Sequence, residues 1–98
     1  MYARATTTQI PLDQLDAIRQ YLQQLDHSAL ERERGFKGTT QLLDPQTGIL
    51  LSIALWETEA NLQASLPGYQ ARLARSKQKG VTLGMTIYEV VGRVDPQP

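Results

Sequence analysis

Two β-forming runs joined by a short turn place the strongest constraint on how this chain folds. The runs cover residues 36–43 and 49–58, and together they are rich in Leu, Ile, Thr and aromatic residues. Between them lies Asp44-Pro45-Gln46-Thr47-Gly48, whose Asp, Pro and Gly are typical of a tight turn. The segment is therefore predicted to form a β-hairpin, because strands separated by so short a turn pair with each other.

The second strand of this hairpin carries two sets of side chains that point to opposite faces of the sheet. One set is uniformly bulky and aliphatic: Ile49, Leu51, Ile53 and Leu55. The other set mixes smaller residues with the only tryptophan of the chain: Leu50, Ser52, Ala54 and Trp56. The aliphatic set is predicted to lie under covering helices, and the mixed set to line a cavity or to meet a partner.

The first part of the chain is predicted to supply a strand and a helical region. Residues 2–10 form the strand, and Pro11 opens a helix whose apolar stripe ends near His27. The stripe consists of Leu12, Leu15, Ile18, Leu22 and Leu25. The spacing of Ser28 and Glu31 matches a capping box, which predicts a break near His27 followed by a short new helical turn.

The last part of the chain is predicted to supply a second helix and a final strand. Thr58 is placed to cap the helix, which should not run unbroken to Lys79. Pro67 lacks a backbone N–H and its ring clashes with the preceding turn, so Ser65 would cap a fresh start. Residues 81–94 form the final predicted strand.

The resulting order, β-α-β-β-α-β, predicts an α+β fold of the ferredoxin-like type with an antiparallel four-stranded sheet. We expect one domain over residues 1–95 and a frayed tail at residues 96–98. Two helices cover only one face of such a sheet, and the other face, assigned to Trp56 and Tyr88, is too apolar to stay in water. A homodimer formed sheet against sheet is therefore predicted.

Composition argues against several kinds of function. Lys and Arg together number ten, as do Asp and Glu, so no excess charge favours nucleic acid or an anionic membrane. The chain has no cysteine and one histidine, which argues against disulfides, thiolate catalysis and an all-protein transition-metal site. No apolar run approaches the roughly 20 residues that cross a bilayer. The first residues lack the apolar core of a secretory signal, so we expect a cytoplasmic protein.

Several short motifs, taken together, resemble the antibiotic biosynthesis monooxygenase domain. They are Tyr2-Ala3-Arg4, Gly35-Phe36-Lys37-Gly38, the turn at residues 44–48, Leu55-Trp56-Glu57-Thr58-Glu59-Ala60 and Ile87-Tyr88-Glu89-Val90. The resemblance covers essentially the whole chain. It implies a dimeric α+β barrel, in which two sheets face each other and each protomer keeps a cavity between its sheet and its helices or loops. It also implies a small-molecule monooxygenase that acts without a cofactor on aromatic, polyketide-like substrates.

A haem-degrading branch of the same family also resembles this chain at Trp56. That branch pairs the tryptophan with an asparagine on the first strand and with a histidine in the second helical region. Here the sole asparagine is Asn61, at the start of the second helix, and His27 lies in the first helical region. Haem degradation is therefore not expected, and neither a cofactor nor a metal is predicted.

The candidate ligand-binding residues are chosen for their polar or aromatic groups and their predicted place on the strands. They are Trp56, Tyr88, Arg4, Thr86 and Ser52. A space beside the tryptophan suits a small aromatic ligand, because small residues leave room and a few polar groups give direction. No catalytic residue is assigned.

Each of these residues has a structural alternative. Trp56 is also suited to anchor a dimer core, Tyr88 to bond across the sheet, and Arg4 to pair with Glu89 or another carboxylate on a neighbouring strand. His27 is expected to be exposed or to cap a helix. The sequence leaves the function open between an oxygenase-like enzyme and a non-catalytic ligand-binding or accessory dimer.

Overall fold

A computed structural model describes residues 1–75 and 80–97 of the 98-residue chain. The predicted ferredoxin-like α+β order is confirmed, with a short additional helix after the first main one. The strands are β1 (Tyr2–Gln9), β2 (Phe36–Leu43), β3 (Ile49–Trp56) and β4 (Val81–Glu89). The α-helices are α1 (Leu15–Gln24), α2 (Ser28–Glu31) and α3 (Glu59–Arg75), and a 3-10 turn, Leu12–Gln14, leads into α1.

The four strands form one antiparallel sheet in the order β2-β3-β1-β4. The predicted hairpin between β2 and β3 is confirmed. Gly48 closes its turn with a φ of +78°, a conformation that favours glycine. The N–H of Gly48 donates to the Asp44 carbonyl, and its own carbonyl accepts the N–H of Ile10, both at 2.8 Å. The turn is thereby tied to the end of β1, the strand that lies beside β3.

Helix α1 lies against one face of the sheet, as its apolar stripe predicts. Ile10 at the end of β1, Ile18 of α1 and Leu50 of β3 form a buried cluster. Packed against this cluster are Leu15, Leu22 and Leu43. Leu12 stays exposed, because the tighter 3-10 turn does not continue the spacing of the α-helix.

The predicted break near His27 is confirmed, but the predicted capping box is not formed. Ser28 is the first residue of α2 rather than its cap, and its N–H donates to Asp26 Oδ1 at 3.0 Å. That backbone hydrogen bond lowers the pKa of the Asp26 carboxyl, because it stabilises the charged form. Asp26 therefore holds the bend that carries His27.

The helices cover the face of β3 that carries the mixed set, and not the aliphatic set as predicted, whereas Leu50, Ser52 and Ala54 of the mixed set do line a cavity. Leu50 packs with Ile18 of α1, and Ala54 and Trp56, which point the same way, are buried. The opposite face, which no described helix covers, carries the partly exposed Ile49, Leu51, Ile53 and Leu55. Alternation within the strand does not distinguish the faces, because both sets are apolar enough to lie under a helix.

The prediction that Trp56 and Tyr88 share a sheet face is also wrong. On β1, Tyr2 pairs with Trp56 on one side and with Glu89 on the other. Directly opposed residues of antiparallel strands point to the same face, and consecutive residues point to opposite faces. Tyr88 therefore lies on the uncovered face, and so does Thr86.

The predicted interruption at Pro67 is wrong over the described residues, because α3 is continuous through it. Residues 76–79, to which the prediction also extends, lie outside the described part of the chain. Both halves of α3 place side chains against the sheet, with Leu62 fully buried before the proline and Tyr69 half-buried after it. This packing outweighs the local penalty. Ser65 lies inside the helix, where its hydroxyl donates to the Leu62 carbonyl at 2.6 Å.

The last strand is shorter than predicted. β4 ends at Glu89 rather than at Val94, and residues 90–97 form no regular element. The expected domain end at residue 95 stays a prediction. Within residues 1–75 and 80–97, no helix combines the length and the apolar character needed to cross a membrane.

Candidate ligand-binding site

A cavity of about 320 Å³ lies between the helix-covered face of the sheet and the helices. Its sheet wall consists of Arg4, Thr6, Thr8, Thr39, Gln41, Leu50, Ser52 and Ala54. Its helical wall consists of Tyr21, Leu25, His27, Leu30, Tyr69, Arg72 and Leu73. The wall is mostly apolar with a few polar groups, which is the combination typical of small-molecule sites.

Arg4 is a charged side chain that is almost completely buried in the wall of this cavity, at 5% exposed. Its Nη1 donates a hydrogen bond of 2.8 Å to Ser65 Oγ, and its guanidinium carbon lies 4.2 Å from the centroid of the Tyr69 ring. The aromatic face stabilises a cation that has lost its water. No ion pair joins Arg4 to a carboxylate of the described residues. The pair with Glu89 considered from the sequence is therefore not formed, because Arg4 extends towards α3.

The electrostatic environment of Arg4 is unfavourable for its charge. Burial lowers the pKa of the Arg4 guanidinium, and the positive charge of Arg72 lowers it further. Tyr69 and Glu33 act more weakly in the opposite direction. Arginine nevertheless stays protonated in proteins, so the consequence is a positive potential in the cavity rather than a neutral side chain. An anion in the cavity would relieve this unfavourable state.

Arg72 brings a second positive charge to the cavity wall. Its Nη1 lies 3.8 Å from Glu33 Oε1, which is long for an ion pair, and both side chains are partly open to solvent. The second carboxylate oxygen, Glu33 Oε2, is buried and has no hydrogen-bond partner among the described residues. Glu33 does not line the cavity, so it offsets the charge of Arg72 only in part.

Strand β1 and helix α3 are joined across one end of the cavity by two polar contacts. The first is the hydrogen bond from Arg4 to Ser65, and the second joins Thr6 Oγ1 to the Tyr69 hydroxyl at 2.7 Å. The two β1 residues point to the same face of the strand, and the two α3 residues are one helical turn apart. The contacts therefore fix the Tyr69 ring beside the guanidinium.

His27 reaches the same cavity from the bend between α1 and α2. Its Nδ1 is buried and has no hydrogen-bond partner among the described residues, although buried ring nitrogens are normally paired. No carboxylate among the described lining residues orients or charges the imidazole. His27 is therefore a potential proton acceptor without a fixed partner.

Trp56 lies behind the cavity rather than in its wall. Its side chain is fully buried and meets the Phe36 ring edge to face, with the ring centroids 5.4 Å apart. The Arg4 guanidinium carbon lies 5.8 Å from the centroid of the indole ring. The indole Nε1 has no hydrogen-bond partner among the described residues. Trp56 thus supports Arg4 from the side away from the cavity.

The structure brings together only some of the candidate residues. Arg4 and Ser52 line the cavity, and Trp56 lies behind Arg4. Thr86 and Tyr88 point to the uncovered face of the sheet, where Tyr88 is 55% exposed, and neither lines the cavity. The candidate set therefore divides between two faces of one sheet.

Three cavity residues, His27, Tyr69 and Arg72, were not among the candidate ligand-binding residues. A signal for two of them was present in α3. Ser65, Tyr69 and Arg72 follow the buried Leu62 at spacings of three, four and three residues, which places all four on one helix face. A polar series on an otherwise buried helix face indicates contact with a polar partner or a ligand.

No family model matches the chain, and no curated protein matches it. Several solved structures match the chain. The haem degrader MhuD of Mycobacterium tuberculosis, which has two haems bound in its active site, is 21% identical with a TM-score of 0.74, over 97% of this chain and 100% of that chain. A Deinococcus radiodurans protein proposed to be an antibiotic biosynthesis monooxygenase is 22% identical with a TM-score of 0.68, over 100% of both chains.

A third similar structure is a protein of unknown function from Nitrosomonas europaea, which is 19% identical with a TM-score of 0.61, over 99% of this chain and 95% of that chain. At these identities the likeness shows the fold. The chain has the ferredoxin-like α+β fold of antibiotic biosynthesis monooxygenase structures, as its motifs indicated. A shared fold does not fix the chemistry, which depends on the residues of the cavity.

The lining does not identify this cavity as a haem site. Its volume of about 320 Å³ is at the lower end of ligand pockets, which span about 300 to 1000 Å³. His27 is the only imidazole of the chain, and it lies in the bend between α1 and α2. No residue is assigned a haem-binding role.

Proposed function

We propose that this protein is a monooxygenase-like enzyme that acts, without a cofactor, on a small aromatic molecule bound in the cavity. The observation that carries the proposal is the buried guanidinium of Arg4, which lines an apolar cavity and has no ion pair in the described part of the chain. The fold supports it, because similar structures include proteins proposed to be antibiotic biosynthesis monooxygenases.

The proposed reaction uses electrons from the substrate itself. A CH₂ group flanked by aromatic or carbonyl groups loses a proton, and the resulting carbanion forms a C–O bond with dioxygen. The peroxide takes the proton back and loses water, so that CH₂ and O₂ become C=O and H₂O. The carbanion is the species that reacts with dioxygen. A fixed positive charge beside it stabilises the carbanion and thereby lowers the barrier to its formation, more strongly in an apolar cavity than in water.

The cavity residues divide these tasks by their chemistry. Arg4, fixed by Ser65 and Tyr69, is placed to stabilise the anion. His27 is placed to accept the proton, because its imidazole lines the same cavity. The ring system of the substrate would lie against the apolar part of the wall, formed by Leu25, Leu30 and Leu73.

Oxygen consumption by the purified protein, measured with a panel of anthrones and related aromatic compounds that carry such a CH₂ group, tests this function. We expect uptake of one O₂ per carbonyl formed, without release of hydrogen peroxide. Arg4→Gln should lower kcat/KM by about 100-fold or more, the usual cost of losing a donor to a developing anion. Arg19→Gln is the control, because Arg19 lies on the exposed side of α1 and pairs with Asp16. Full activity in a folded Arg4→Gln protein would contradict the proposal.

A non-catalytic ligand-binding role is the second candidate. It is favoured by the lack of any carboxylate among the described lining residues, which leaves His27 without the acid–base partner that most proton-transfer sites contain. This role predicts that panel compounds bind the cavity and raise the melting temperature while no oxygen is consumed. That outcome would replace the enzymatic assignment.

We also propose that the protein is a homodimer joined through the uncovered face of the sheet. The support is the row of partly exposed aliphatic residues on β3 together with the exposed Tyr88 on β4. Closure by a second copy, sheet against sheet, leaves the cavity of each protomer on the far side, under its own helices. The cytoplasmic location expected from the sequence stays a prediction.

A further inference from the structure

The cavity contains two positive charges and no negative one among its described lining residues. Arg4 comes from β1 and Arg72 from α3, and they are close enough for the charge of Arg72 to lower the pKa of Arg4. Glu33 is the acidic residue that reaches Arg72, at 3.8 Å, and it lies outside the lining. Two cations in an apolar wall are costly unless an anion joins them.

The buried position of the Arg4 guanidinium favours the binding of an anion more than it favours the stability of the fold. Arg4 is for the most part desolvated before any ligand binds, since it is 5% exposed. A ligand anion that pairs with Arg4 therefore incurs the desolvation of the anion but little further desolvation of the guanidinium. Tyr69 and Ser65 hold the guanidinium in place, so little side-chain entropy is lost on binding.

We propose that the ligand of this cavity is a small aromatic carboxylic acid whose carboxylate binds between Arg4 and Arg72. This inference rests on the proposed function in that it uses the same cavity, and it adds the charged group of the ligand. In an oxidised substrate, the carboxylate and the reacting CH₂ group would share the positive field of the two arginines. A planar carboxylate matches the fork of guanidinium N–H donors. The apolar remainder of the wall, with Leu25, Leu30 and Leu73, takes the ring.

A neutral phenol interacts less favourably with the two arginines than a carboxylate does. A phenol carries its negative charge only after it loses its proton, whereas a carboxylate is charged throughout binding at neutral pH. The Arg4–Arg72 repulsion is present in the ligand-free protein, so the group that relieves it must be charged when it binds. A permanently anionic ligand meets this requirement.

Isothermal titration of the wild-type protein with 2-naphthoate and with 2-naphthamide tests this directly. The two compounds have nearly the same shape and differ in charge. We expect naphthoate to bind at least about tenfold more tightly than the amide. Equal affinities, or no measurable binding of naphthoate at millimolar concentration, would overturn the inference.

Two variants test whether the arginines cause the preference for naphthoate over naphthamide. Arg72→Gln should weaken naphthoate binding by about fivefold or more and leave naphthamide unchanged, because half-exposed Arg72 contributes charge rather than core packing. Arg4→Gln should have a larger effect, with folding checked by circular dichroism. Arg19→Gln, which changes an exposed arginine outside the cavity lining, should alter neither affinity. A preference for the acid that survives in both Arg4→Gln and Arg72→Gln would also overturn the inference.

These measurements are separate from the test of the enzymatic function. Naphthoate has no CH₂ group for dioxygen to attack, so its binding does not depend on catalysis. Failure of the charge preference alone would leave oxygen uptake with neutral anthrones unaffected. Failure of oxygen uptake alone, with the charge preference intact, would assign the cavity to an aromatic acid that is bound and not oxidised.

Discussion

Trp56 is the residue whose removal should cost the fold most. Its side chain is fully buried between Phe36 and the Arg4 guanidinium. Trp56→Ala removes this large apolar surface and leaves a space that neighbours fill only in part, so the free energy of unfolding should fall by about 3–5 kcal/mol. Urea unfolding at one fixed protein concentration measures the loss. A change below about 1 kcal/mol would contradict the burial.

Trp56→Phe is the matched control for this substitution. The indole Nε1 is buried without a hydrogen-bond partner in the described part of the chain. Phenylalanine keeps most of the aromatic packing and removes the unpaired N–H, whose burial is itself unfavourable. The loss should therefore be well under half of that seen with alanine. A loss equal to that of Trp56→Ala would show that the N–H has a partner.

Asp44 should make stability depend on pH at the acid end. The backbone N–H of Gln46 and, next in size, the Thr47 hydroxyl lower the pKa of the Asp44 carboxyl in the folded protein. Because the folded pKa is the lower one, the contribution of this group is present above its unfolded pKa of about 3.9. It is lost as the pH falls through the folded pKa.

Asp44→Asn tests this dependence. Asparagine keeps an oxygen that can accept from Gln46, whose N–H donates to Asp44 Oδ1 at 2.9 Å, but it does not titrate. The variant should be less stable than the wild type at pH 7 and should lose less stability between about pH 5 and pH 2. Unfolding curves across that range measure both effects. Parallel acid profiles for the two proteins would contradict the prediction.

At the scale of elements, Pro67 is an exposed residue inside α3 that has a local cost and no visible packing role. Pro67→Ala restores one helical N–H and removes the clash of the ring, a gain of up to about 3 kcal/mol. The variant loses the restriction that proline places on the unfolded chain, about 0.4–1 kcal/mol. The first effect is larger, so we expect a net stabilisation of about 2 kcal/mol by urea unfolding.

Gln63→Ala is the control for Pro67→Ala, since Gln63 is exposed one turn earlier on the same helix. It should change stability by no more than about 0.5 kcal/mol, because it alters neither the backbone nor a buried contact. If Pro67→Ala destabilised the protein, a bend set by the proline would be needed to place Leu62 and Tyr69 against the sheet.

The elements themselves follow from local rules, and the sequence predicts them well. Turn residues at 44–48 and alternation on β3 predict the hairpin, and a 3.6-residue period predicts α1. Pro67 is the exception, because a local penalty of a few kcal/mol is smaller than the burial of both halves of α3. Such a comparison needs the tertiary contacts, which local rules do not contain.

The relation between elements could not be predicted in the same way. Side-chain alternation within one strand shows which of its residues share a face. Which residues of two different strands share a face of the sheet depends on the register in which the strands pair. Trp56 and Tyr88 belong to strands that both pair with β1, and the register there places them on opposite faces. Of the candidate residues, Arg4 and Ser52 line the cavity, whereas Tyr69 and Arg72 of α3 were not among the candidates.

At the scale of the whole molecule, the homodimer is tested by disrupting the uncovered face. Ile53→Lys places a charge at the centre of β3 on that face, where a partner sheet would bury it. Light scattering should give a dimer mass for the wild type at micromolar concentration and a monomer mass for Ile53→Lys. Gln23→Lys, on the exposed side of α1, is the control and should stay dimeric. A wild-type monomer would contradict the proposed assembly.

The position of Trp56 gives the protein an optical property. Because the chain contains a single tryptophan, its indole fluorescence comes from one place, a dry site 5.8 Å from the guanidinium that faces the cavity. The emission of an indole shifts with the electric field across its ring. An anion that neutralises Arg4 changes that field without touching the tryptophan. Ligand binding should therefore shift the intrinsic tryptophan fluorescence, and this shift can be followed in real time without a label.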